Sequence, residues 1–124
     1  MTDQLSFFDT MRAPAIRKPV ERDGRVIRRK IETVLRLAHP KLAWAQARIE
    51  VHPSGEYWMW ATGYNTGQGG SGYRVGEKWG KFAHTREDAI YWACNEIRTA
   101  LAKREETKGT RSIQRWLSEI EASL

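Results

Sequence analysis

Trp58, Trp60 and Trp79 lie close in sequence to Arg48, Arg74, Lys78 and Lys81. Aromatic faces interleaved with cations can stack unpaired bases and neutralise the phosphates between them. A second group, Arg25, Arg28, Arg29 and Arg36, belongs to a basic run. Residues 12–30 hold eight basic side chains against Glu21 and Asp23, a net +6, and the whole chain of 124 residues is also +6, so the remainder is balanced. One concentrated basic segment on a neutral body suits contact with a polyanion; the alternative is a solvated stretch that aids solubility. Arg25, Arg28, Arg29, Arg36, Trp58, Trp60, Arg74, Lys78 and Lys81 are therefore the expected nucleic-acid-binding set. The competing fate of the tryptophans is burial in the core.

Other chemistries find little support. His39, His52 and His84 would suffice for a zinc site, but no spacing sets two of them on one helix face. The single cysteine, Cys94, lies on an apolar helical stripe and reads as a buried thiol; it excludes a disulfide framework or a cysteine-based zinc cluster. The run from Asn65 to Gly72 is rich in glycine, yet no Gly-Lys-Ser/Thr follows and no helix starts there, so it reads as a hairpin loop rather than a phosphate cradle. No serine sits in a nucleophile elbow and the carboxylates show no paired pattern. The expectation is a binding protein with no catalytic residue, no metal and no cofactor.

Near the start stands Gln4-Leu5-Ser6-Phe7-Phe8. It resembles the peptide by which bacterial replication and repair proteins dock on the DNA sliding clamp, commonly Gln-Leu-Ser/Asp-Leu-Phe, with Phe7 in place of the usual Leu. The resemblance implies a glutamine at a pocket rim and apolar anchors from Leu5, Phe7 and Phe8 in a groove. It makes the bacterial sliding clamp a candidate partner and favours DNA over RNA. The competing reading folds these apolar residues back onto the domain.

The elements that must position these residues follow from periodicity. Residues 1–22, with Pro14 and Pro19, read as a mobile arm, and residues 23–124 as one domain. Asp23 can cap a helix over residues 24–38 with Ile27, Ile31, Val34, Leu35 and Ala38 inward and Arg25, Arg28, Arg29 and Arg36 outward. Ala47, Ile49 and Val51 alternate with Arg48, Glu50 and His52 as a strand. Pro53-Ser54-Gly55 turns it into a central strand, Tyr57–Tyr64, bulky on both faces: Tyr57, Met59 and Ala61 on one, Trp58, Trp60 and Thr62 on the other. Short strands are expected at Tyr73–Val75 and Lys78–Ala83. Thr85 caps a second helix with Ile90, Ala93, Cys94, Ile97 and Leu101 inward, and Lys108-Gly109 breaks it. Thr110 opens a last helix, residues 110–124, with Ile113, Trp116, Leu117, Ile120 and Leu124 on one face.

The expected fold is α+β: an antiparallel sheet of three or four strands with helices on one face, in the order helix, strands, helix, helix. That order resembles the double-stranded-RNA-binding domain over residues 24–104. Where that family has a lysine-rich phosphate clamp, this chain has His84-Thr85-Arg86-Glu87-Asp88, so duplex-RNA binding is not implied. No apolar run is long enough to span a membrane, and the chain reads as cytoplasmic. The leading expectation is a nucleic-acid-associated module of replication or repair, of a kind that a mobile element can carry. The runner-up is a protein–protein inhibitor or adaptor using the tryptophan-rich sheet face and the last helix; a small hydrolase or nuclease comes third.

Overall fold

The computed structural model describes residues 12–124. Its centre is an antiparallel sheet of six strands: β1 (Ile16–Arg17), β2 (Thr33–Ala38), β3 (Ala45–Ser54), β4 (Tyr57–Asn65), β5 (Gly70–Gly72) and β6 (Lys81–Ala83). The spatial order is β1-β6-β4-β3-β2, and β5 pairs with the far end of the same β4 edge that receives β6. Two helices, α1 (Arg86–Leu101) and α2 (Lys108–Ala122), close the chain. The α+β class and the antiparallel sheet agree with the sequence; the strand count and the element order do not.

The expected helix over residues 24–38 is absent. Residues 33–38 form the edge strand β2, paired with β3 from Thr33↔Val51 to Leu37↔Ala47. The segment TVLRLA alternates: Thr33, Leu35 and Leu37 turn inward, while Val34, Arg36 and Ala38 are exposed. The same apolar residues also fit a helical stripe, and the available edge of β3 decides the matter, since strand preference is largely a matter of cross-strand packing. Without a first helix, the order that resembled the double-stranded-RNA-binding domain is lost. The strands expected at Tyr73–Val75 and Lys78–Ala83 are shifted: β5 ends at Gly72, and a 3₁₀ turn, Glu77–Trp79, precedes β6.

From Arg12 onward the chain is bound to the body. Arg12 pairs with Asp88 at 3.1 Å, Ala13 O accepts from Trp92 Nε1 at 3.2 Å, and β1 pairs with β6. The amides of Lys18, Glu21 and Ile27 then donate to the carbonyls of Gly80, Lys78 and Val75, each at 2.8 Å. Gly80 has φ 67°, and a Cβ there would stand 1.9 Å from Lys18 O, so the strap can pass only over a glycine.

The strap answers what covers the second face of β4. On one face Ala47, Ile49, Val51, Trp60 and Ala83 pack against Ala89, Ile90, Ala93, Cys94 and Ile97 of α1 and Ile113 and Leu117 of α2. On the other, Met59, Ala61 and Phe82 pack beneath Ile31 and Val75, with Ile16, Ile27, Tyr57 and Tyr73 alongside. Central-strand residues bulky on both sides thus have two cores to fill. Thr85 caps α1 by accepting from Asp88 N at 3.0 Å. The last helix begins earlier than expected, because Thr107 rather than Thr110 is its cap; the two form a reciprocal capping box. Its stripe of Ile113, Trp116, Leu117, Ile120 and Leu124 faces the body. Among the described residues, no helix is long and apolar enough to cross a membrane.

Candidate nucleic-acid interface

The cations are unevenly divided between the layers. Residues 12–83 carry 14 basic and 6 acidic side chains, while residues 84–124, which include both helices, carry 7 of each. Arg25, Arg28 and Arg29 are exposed on the segment that covers the non-helical face, and Arg36 is exposed on β2 with its side chain on that same face. Arg74 is exposed and its Nε donates to Ile27 O. Arg29 lies near enough to His52 to help hold that imidazole below its ordinary pKa, the larger cause being burial. In that neutral ring, Nδ1 accepts from Glu32 N at 3.1 Å.

The other expected residues are placed differently. Trp60 is 1% exposed, its indole facing the helices with the Arg17 guanidinium 5.3 Å from the ring. Trp58 is half-buried against the same core. The Trp60 ring offers no open platform for a base. Lys78 is half-buried, with Nζ 4.8 Å from the Trp79 ring. Trp79 packs on Tyr73 at 4.9 Å and donates to Arg74 O at 2.8 Å. Gln4, Leu5, Ser6, Phe7 and Phe8 lie outside the described residues.

Lys81 belongs to a network around Glu96 of α1. The carboxylate accepts from Lys81 Nζ at 2.5 Å, Thr62 Oγ1 at 2.5 Å, Tyr73 OH at 2.6 Å and Trp60 Nε1 at 3.3 Å. Burial pushes the Glu96 pKa up, but the hydrogen bonds from Lys81, Thr62 and Tyr73 outweigh it and leave the group below its ordinary value. Burial, followed by the bond to Glu96, raises Tyr73 far above the ordinary phenol range. The network ties α1 to β4 where the shared edge is interrupted between β5 and β6. Burial and, secondarily, Glu121 push the Cys94 thiol up to about 12, so it is an inert core group.

Sequence reasoning missed one arrangement. The registers place Arg36, Arg48, Gly63 and Gly72 directly abreast across β2, β3, β4 and β5, on the face away from the helices. Two arginines directly opposite on one face repel each other. Glu50, 5% exposed, relieves only one of them: its Oε2 is 3.7 Å from Arg48 Nε, and Arg48 Nε, though buried, makes no hydrogen bond among the described residues. Arg48 Nη2 donates to Tyr73 O at 3.2 Å, and a Cβ on Gly63 would stand 3.4 Å from that nitrogen. The guanidinium therefore extends over bare glycine backbone. Above this row lies an open basin of about 430 Å³, lined by Arg36, Trp44, Arg48, Gly63, Ser71 and Gly72 among others, with no acidic residue in its lining among the described residues.

Trp44 forms the rim and is 41% exposed. Its position is prepared by His39, whose Nδ1 accepts from the amides of Lys41 and Leu42, both at 3.1 Å, and whose ring packs on Trp44 at 4.7 Å. The signal available in sequence was the alternation of Thr33–Leu37, which would have set β2 beside β3 and Arg36 beside Arg48. Among the described residues, no three His, Cys, Asp or Glu side chains gather as a metal site. The chain matches no protein-family model, no curated protein and no solved structure.

Proposed function

We propose that this chain is a non-enzymatic nucleic-acid-binding module that meets the phosphate backbone with the sheet face opposite its helices. The observation that carries this reading is the exposed cation surface of Arg25, Arg28, Arg29, Arg36 and Arg74 on one side of the sheet, against a helical layer without net charge. Such a surface attracts polyanions by releasing their counterions and carries little base information itself. The peptide Gln4–Phe8 would add a tether to a DNA sliding clamp and set the module to work on DNA. The adaptor alternative draws on the tryptophan strand and the last helix, whose apolar sides are turned into the protein's own core.

The test is a salt series with labelled DNA. The triple variant Arg25→Ala, Arg28→Ala, Arg29→Ala should bind all sequences more weakly. Its slope of log affinity against log salt should fall by about 0.7–0.9 for each phosphate contact removed. Unchanged affinity at low salt would remove these arginines from the interface.

A further inference from the structure

We infer that the basin over the Arg36–Arg48–Gly63–Gly72 row is a site for one unstacked nucleotide, and that through it the protein prefers single-stranded nucleic acid to duplex. This rests on the nucleic-acid reading above and narrows it to a ligand and a place. Three features point to it. The first is electrostatic: two arginines held abreast, only one relieved by Glu50, and no acid among the described residues of the lining. A phosphate diester between them would lift their mutual repulsion, and the fork of a guanidinium suits phosphate oxygens.

The second is shape. Two adjacent glycines remove the side chains that would otherwise fill the sheet surface, and the resulting volume of about 430 Å³ falls in the range of small-ligand sites, roughly 300–1,000 Å³. Neither glycine has a positive φ, so no backbone conformation demands glycine at these positions. The third is the exposed Trp44, oriented by His39 at the rim. Unpaired bases stack on indole faces and on guanidinium planes, and the basin offers both, Trp44 and Arg48. A base paired within a duplex presents no free face to either. Asn65, the last residue of β4, also lines the basin; its Oδ1 accepts from Gly67 N at 2.9 Å, which leaves its amide NH2 to address a base edge.

Fluorescence anisotropy of the full chain with labelled oligothymidylate, oligouridylate and a blunt DNA duplex of equal length tests this at one fixed salt concentration. The expected result is tighter binding of one or both single strands than of the duplex; the two single strands separate a DNA from an RNA source of the same chemistry. Trp44→Ala should lower single-strand affinity by about ten- to a hundred-fold, the range of one lost base–aromatic stack, and leave duplex affinity within about two-fold. Gly72→Val, which fills the basin without altering charge, should act in the same direction. Arg36→Ala lies on an exposed strand edge and serves if the valine variant fails to fold; in a parallel salt series it should reduce the single-strand salt slope by about 0.7. Trp44 and Arg36 variants that weaken single strand and duplex equally, or neither, overturn the nucleotide site while leaving the phosphate-binding face intact. Absence of any nucleic-acid binding by the full chain at low salt overturns both.

Discussion

Replacing Glu96 by alanine removes the acceptor at the centre of four hydrogen bonds and leaves Lys81 facing the core without a counter-charge. The two charged side chains are 20% and 21% exposed, so the pair is largely but not wholly withdrawn from water. Breaking a buried pair from one side costs about 3–5 kcal/mol, and the partial exposure of Lys81 argues for the lower end. The hydroxyls of Thr62 and Tyr73 and the indole N–H of Trp60 each lose a partner worth about 0.5–1.5 kcal/mol, part of which water entering the vacated space restores. The expected destabilisation is about 3–4 kcal/mol. In urea melts followed by tryptophan fluorescence this moves the midpoint down by roughly 1–4 M, with little change in slope. Glu96→Gln keeps an acceptor oxygen but not the charge, and should cost roughly half as much.

The same network has a pH signature. Because the folded Glu96 pKa lies below its ordinary value, its contribution is complete above the unfolded carboxyl value of about 4.3 and is lost as pH falls through the folded value. The Gln variant should lack that loss. A Glu96→Ala cost under about 1 kcal/mol at neutral pH would refute the claim that this network anchors α1 to the interrupted edge of β4.

Trp60→Ala and Met59→Ala empty opposite faces of β4, and each should destabilise by about 2–5 kcal/mol in the same melts; a near-neutral result for either would mean its face is not a core. His52 has a depressed folded pKa, so its contribution is full above the unfolded value of about 6.5 and is lost as pH falls through the folded one. Stability should therefore drop as pH falls below the unfolded value of about 6.5, and His52→Gln should flatten that part of the curve; an unchanged curve would acquit the imidazole. For the clamp tether, a labelled peptide of residues 1–12 titrated with a purified bacterial sliding clamp should bind at micromolar concentration, about 8 kcal/mol, through Leu5, Phe7 and Phe8. No saturation by tens of micromolar counts against it.

The sequence disclosed those elements whose signals are local. The aromatic run Tyr57–Tyr64 between two turns is β4, and the stripe from Ile90 to Leu101 behind a threonine cap is α1. Residues 24–38 carried two compatible patterns, and the helical one hid the strand. That single ambiguity removed an edge from the sheet, and with it the neighbour of Arg48. The basin is a product of register across four strands, each contributing one residue to the row, so no window of sequence contains it. The tryptophans misled for a related reason: alternation told which residues share a face, but not that Trp58 and Trp60 share the one the helices cover.

That strap also fixes an order of events. Ile16 pairs with Phe82, 66 residues further along, so the basic stretch leaves the ribosome well before the strand that receives it. At about 5–20 residues per second the interval is roughly 3–13 s. For most of that time Lys18, Glu21 and Ile27 lack the carbonyls that will hold them, and the cations of residues 12–30 belong to an open chain. The nascent protein thus exposes its most strongly charged segment as a polycation before it can display it as a shaped surface, and any polyanion captured then must be released for β1 to dock. If the segment binds polyanions as proposed, refolding should slow in the presence of nucleic acid and recover with added salt.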